Sequence, residues 1–129
     1  MKLRTLAVCA ALALTTACSG LRPIQNYASV PAVRYDGTSL SQERVAQAII
    51  RGGASKGWVV QPKAPGRMLA ILNLRSHQAV VEITYTDRDY SITYQSSINL
   101  DVDGDRINKN YNRWLENLRQ AITSELQRV

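Results

Sequence analysis

The feature that most constrains this chain is the unbroken alternation in its middle. Ala79, Val81, Ile83 and Tyr85 alternate with Val80, Glu82, Thr84 and Thr86, and then Tyr90, Ile92, Tyr94, Ser96 and Ile98 alternate with polar residues. A period of two, carried by β-branched and aromatic residues, belongs to half-buried strands rather than helices. Register sharpens the reading. With Asp87-Arg88 at a hairpin tip, Tyr85 faces Tyr90 and Ile83 faces Ile92. With Ser76-His77 at a preceding tip, Leu74 faces Ala79, Leu72 faces Val81 and Ala70 faces Ile83. Both pairings set apolar against apolar on one face, and a slip of one residue would undo them. Residues 58–60 form a further strand, separated from 68–74 by the turn signal Pro62-Lys63-Ala64-Pro65-Gly66.

Two amphipathic segments flank these strands. In the first, Ser39 and Gln42 have capping-box spacing, and Val45, Ala48, Ile49 and Gly52 recur at helical intervals before Gly52-Gly53 and Gly57 end the run. In the second, Asp105 is the expected N-cap. Ile107, Tyr111, Trp114, Leu115, Leu118, Ile122 and Leu126 then form one stripe. The expected fold is α+β: helix, four-stranded antiparallel meander, helix, with both helices on one face of the sheet. That domain spans residues 39–129. Residues 18–38 carry two prolines, two glycines and no sustained period, and read as a tether, with docking of part of it on the domain through Val30, Val33 and Tyr35 as the alternative.

No catalytic constellation emerges. Asn99, Asp101, Asp103, Gly104 and Asp105 imitate the start of a calcium loop, but Asn110 stands where the bidentate Glu belongs. The single histidine, His77, lies at a hairpin tip without nearby ligand partners, and "GGASKG" has the letters of a phosphate loop in the wrong order. There is no G-x-S-x-G elbow, and Glu82 has no evident partner. The reading is of a non-enzyme with no metal and no cofactor. One surface stands out. The register that buries Leu72 and Val81 turns Leu69, Ile71 and Val80 outward as a group, which marks a partner or dimer contact, a surface covered by the tether, or tolerated exposure.

The N-terminus bears an address. Lys2 and Arg4 precede an uncharged run from residue 6 to 14, too short to span a bilayer, and then Thr15, Thr16, Ala17 and Cys18. This stretch resembles bacterial lipoprotein precursors, departing from the usual lipobox at Thr15, where Leu is commoner. The resemblance implies a signal peptide over residues 1–17, diacylglycerol on the Cys18 thiol, cleavage before Cys18 and acylation of the new amino terminus. Ser19 in place of Asp implies the outer membrane, with the domain facing the periplasm. Cys9 would leave with the signal peptide, so no disulfide is available. Loss of Lys2 and Arg4 would take the formal charge from +6 to +4, spread without a dense run. Such a balance reads first as an ordinary solvated basic surface; it also suits an anionic membrane or envelope polymer, and nucleic acid is disfavoured by the address.

The domain itself is similar to a group of small proteobacterial lipoproteins. The resembling stretches are Gly57-Trp58, Pro65-Gly66, Arg75-x-His77-x-Ala79, Tyr90-Ser91-Ile92-x-Tyr94-x-x-Ser97-x-Asn99-Leu100 and Tyr111-Asn112-x-Trp114-Leu115. Asn108 departs from that pattern, where His is expected. The group brings no activity to carry over. The expected role is contact with another envelope component; the alternative is a binding module for a small amphiphile or envelope polymer, in a pocket between sheet and second helix.

Overall fold

The structure, a computed structural model, describes residues 20–129. The expected signal peptide and Cys18 lie outside the described residues. In chain order the elements are β1 (Leu21–Pro23), β2 (Tyr27–Pro31), α1 (Gln42–Ser55), β3 (Trp58–Ala64), β4 (Arg67–Leu74), β5 (His77–Tyr85), β6 (Asp89–Ile98), β7 (Arg106–Asn108) and α2 (Lys109–Leu126). Strands β2-β6-β5-β4-β3 form an antiparallel sheet, and β1 pairs with β7 in a separate two-stranded ribbon. The class is α+β. The sheet has five strands, not the four of the expected meander.

The fifth strand comes from the segment read as a tether, of which Leu21–Pro23 and Tyr27–Pro31 are docked on the domain as strands. A sheet edge offers unpaired backbone groups, and β2 takes those of β6, pairing Tyr27 with Ile92 and Val30 with Tyr90. Side chains complete the seam: Asn26 Oδ1 accepts the Tyr94 N–H at 2.8 Å, and Ser91 Oγ accepts the Ser29 N–H at 3.0 Å. Ala32, just beyond, is fully buried. The strand was illegible because its register shifts between Tyr27 and Val30, where Ser29 takes a φ of 51°. A bulge of this kind erases the two-residue period.

Registers within the meander split in an instructive way. The β5–β6 hairpin has the expected pairs, Tyr85 with Tyr90 and Ile83 with Ile92. In the β4–β5 hairpin Leu74 pairs with His77 and Leu72 with Ala79, so the tip is Arg75-Ser76 and the register differs from expectation by two residues. Two-residue loops are the commonest hairpin connection, and Arg75 adopts the positive φ, 57°, needed there. An even shift keeps every side chain on its face, so the core assignment survives. Farther along, the shift between Val80 and Val81 leaves Gln95 unpaired in β6 and reverses the phase beyond it. Ser97 then turns inward, where its hydroxyl meets Tyr94 Oη at 2.9 Å, and Ile98 turns outward instead of into the core.

The helices also differ in detail. Ser41, not Ser39, caps α1, accepting the Arg44 N–H. The helix runs through Gly52-Gly53 to Ser55 instead of ending there. A Cβ on Gly52 would lie 2.8 Å from the backbone of Ile122, so the glycine is the notch at which α1 and α2 touch. Residues 106–108 join β7 before α2 begins, and Asn108 replaces Asp105 as its cap. Val45, Ala48 and Ile49 of α1 and Tyr111, Leu115, Leu118, Ile122 and Leu126 of α2 share one buried cluster with Trp58, Met68, Ala70, Val81, Ile83, Tyr90 and Ile92 of the sheet. Trp114 sits at the edge of this cluster, partly buried.

Candidate functional site

With both helices on one side, the other side of the sheet is not covered by any described element. Its side chains come from the residues between the buried ones. One row across the strands runs Val59, Ile71, Val80 and Ser96; the next runs Gln61, Leu69, Glu82 and Thr93. Asn73 and Gln78 lie on the far side of the first row, with Ile98 beside Gln78. Leu69, Ile71 and Val80, the residues singled out from the sequence, stand together here and are half-buried by their neighbours. Two residues extend the patch that the sequence reading missed. Val59 is 56% exposed and Ile98 is 59% exposed. Alternation in β3 would have found Val59; Ile98 depends on the bulge at Gln95 and had no local signal.

Polar pairs border this apolar strip. On one side Arg67 donates to Glu82 at 3.2 Å, which gives Glu82 the partner that the sequence did not reveal. On the other, Gln78 donates to Asn73 Oδ1 at 2.9 Å. An apolar centre with a polar rim is the usual composition of a contact surface between proteins.

One charged cluster, away from this face, is engaged in holding the fold. Glu116 on α2 accepts from Arg119 at 2.6 and 3.2 Å, from Gln120 at 3.0 Å and from the hydroxyl of Tyr27 in β2. The Arg119 guanidinium also lies 5.3 Å from the Tyr27 ring centre. These donors, Arg119 first, hold the Glu116 carboxyl down to about 2. A carboxylate so satisfied is a poor proton acceptor at neutral pH, and the cluster serves to tie β2 to α2. Tyr111 is different: its hydroxyl is buried and has no hydrogen-bond partner, and burial pushes its pKa up.

Among the described residues no three His, Cys, Asp or Glu side chains gather as a metal site. Asp103 and Arg106 exchange backbone hydrogen bonds at 3.0 Å across a tight turn, which accounts for the calcium-like spelling. The His77 Nδ1–H donates to the Asn99 carbonyl at 2.6 Å, and its ring is 6.2 Å from that of Trp114. Between sheet and α2, where a ligand pocket was the alternative expectation, Trp58, Leu72, Leu74, Trp114 and Asn117 line a cavity of about 110 Å³. A larger groove of about 550 Å³ runs along the outer surface of α2, lined by Tyr35, Arg119, Thr123 and Gln127 among others. No helix among the described residues is long and apolar enough to cross a membrane. Comparison with protein-family models, curated proteins and solved structures gives no match.

Proposed function

We propose that this is a lipid-anchored, non-enzymatic protein of the bacterial outer membrane, facing the periplasm, that binds another envelope component through the outer face of its sheet. The observation that carries the contact is the apolar strip Val59, Leu69, Ile71, Val80 and Ile98, bordered by the Arg67–Glu82 and Asn73–Gln78 pairs. Contiguous apolar surface with a polar rim costs solubility and is kept where something covers it. The anchor rests on the order of charged, apolar and small residues before Cys18. Two or more acyl chains there would hold the protein stably.

The amphiphile-binding alternative is weaker on volume. Drug-sized ligands occupy roughly 300–1,000 Å³, whereas the cavity beside Trp58 and Trp114 holds about 110 Å³.

A photoreactive residue at position 59, in intact envelopes, tests the contact. The expected result is a discrete crosslinked species that is absent when the same residue stands at Gln120 on α2 and lost when Ile71→Lys is added. Equal, diffuse labelling at both positions would sink the sheet-face reading. A crosslinked species of twice the chain's mass would identify the partner as a second copy.

A further inference from the structure

The way Gly20 and Leu21 are held carries consequences for how the domain meets a membrane. The Gly20 carbonyl accepts the Lys109 N–H at 2.9 Å, and Leu21 is already paired with Asn108 in the β1–β7 ribbon. Cys18 is two residues upstream of Gly20. Two residues reach at most about 7 Å when extended. Residues 21–31 are spent on strands and seams and offer no slack.

The surroundings of Gly20 form one end of the molecule. The Leu100 carbonyl accepts the Asn108 N–H at 2.9 Å, and Asn99 joins the β4–β5 tip through His77 and Ser76. Lys109 and Arg113 stand one turn apart on α2, both exposed. Arg75 and Arg113 line a shallow concavity of about 290 Å³ together with Leu74, His77, Asn110 and Trp114. Leu74 is 43% exposed. Asp101 is the acidic residue beside Leu100. Asp103 and Asp105 lie with Arg106 at the opposite end of the ribbon, where Ile24 bonds to the Asp105 carbonyl. The exit end therefore combines three cations with Leu74 and Trp114, against one nearby acid, Asp101.

We propose that the Lys109–Arg113–Arg75 end of the domain seats directly on the anionic headgroups of the bilayer that holds the Cys18 lipid. The proposal rests on acylation at Cys18. An anchor within about 7 Å of Gly20 holds Lys109, bonded to the Gly20 carbonyl, inside the range, on the order of 10 Å, over which exposed charges interact at ordinary ionic strength, and Arg113 follows one helical turn on. Cationic side chains with an amphipathic tryptophan suit a headgroup layer. The domain then stands on the membrane instead of ranging from it.

The test uses the mature lipidated chain in vesicles of phosphatidylcholine, with and without phosphatidylglycerol, containing a lipid spin-labelled at its headgroup. The tryptophans are Trp58 and Trp114; Trp58 is buried, so Trp114 is the reporter. Vesicle flotation reads the anchor, and quenching of Trp114 reads the seating. The expected result is strong quenching in phosphatidylglycerol vesicles that falls roughly threefold in high salt or in a Lys109→Glu/Arg113→Glu variant, with flotation and thermal melts unchanged. Should the chain fail to float, the Cys18 reading has failed; a chain beginning at Cys18 and coupled there to a maleimide lipid still reads the seating. Quenching that ignores lipid charge, salt and the double variant overturns the proposal. So does binding to an anionic glycan with no response to vesicle charge.

Discussion

The two faces of the sheet are made of similar residues and have opposite fates. On the inner face Met68, Ala70, Leu72, Val81, Ile83 and Ile92 are sealed beneath two helices. On the outer face Val59, Leu69, Ile71, Val80 and Ile98 are no less apolar, yet remain open to a varying degree. Apolar content therefore does not by itself tell core from surface. What separates the faces is which one the helices cover, and the helices choose by the width of the apolar surface offered. The inner face presents buried residues on every strand from β3 to β6, whereas polar pairs interrupt the outer one.

Matched truncations break the comparison most directly. Ile83→Ala should cost about 2–5 kcal/mol, the range for an emptied core site. Ile71→Ala, in the adjacent strand but outward, should cost about 1 kcal/mol or less. Denaturant melts of the two variants check this, and equal losses would mean that the outer face is buried too.

The seal itself depends on how closely the helices approach. Gly52→Ala places a methyl group 2.8 Å from the Ile122 backbone, where no flexible side chain can yield. Overpacking of this kind costs about 1–3 kcal/mol, outweighing the gain in helix propensity. Ala at Gly52 with unchanged stability would mean that α1 and α2 can part without loosening the inner face.

The latch between β2 and α2 gives a smaller, pH-dependent effect. Glu116 has a folded pKa of about 2, below its ordinary 4.5. A depressed carboxyl contributes stability above its unfolded pKa and loses it as pH falls through the folded value. Melts should therefore show loss between about pH 4.5 and pH 2, absent in Glu116→Gln. Because the pair is partly solvent-facing, the effect should be about 1 kcal/mol at most.

Smallest in stability is Val59→Lys, which should shift the melts by less than about 0.5 kcal/mol while weakening the contact read by crosslinking from position 98. A large loss of stability would reassign β3's outer position to the core.

The same contrast shows how much was legible. Leu69, Ile71 and Val80 could be placed on one face because parity survives the two-residue error in the β4–β5 register. The expectation at Cys18 lies outside the described residues. Ile98 could not be placed, since one unpaired residue at Gln95 reverses the phase with no mark in the local pattern.

What the sequence determined alone was local: the strand period from residue 79 to 94, the β5–β6 register, and the apolar stripes of both helices. Each rests on contacts between near neighbours in the chain, and period and turn chemistry report those directly. The tertiary structure alone decided the rest. Tyr27 finds its place only because β6 has a free edge and α2 presents Glu116 and Arg119 above it. Gly52, which reads as a helix stop, becomes a helix contact only because Ile122 arrives from seventy residues away. Such choices depend on partners remote in sequence, and a glycine or a short irregular strand carries no record of which partner it will meet.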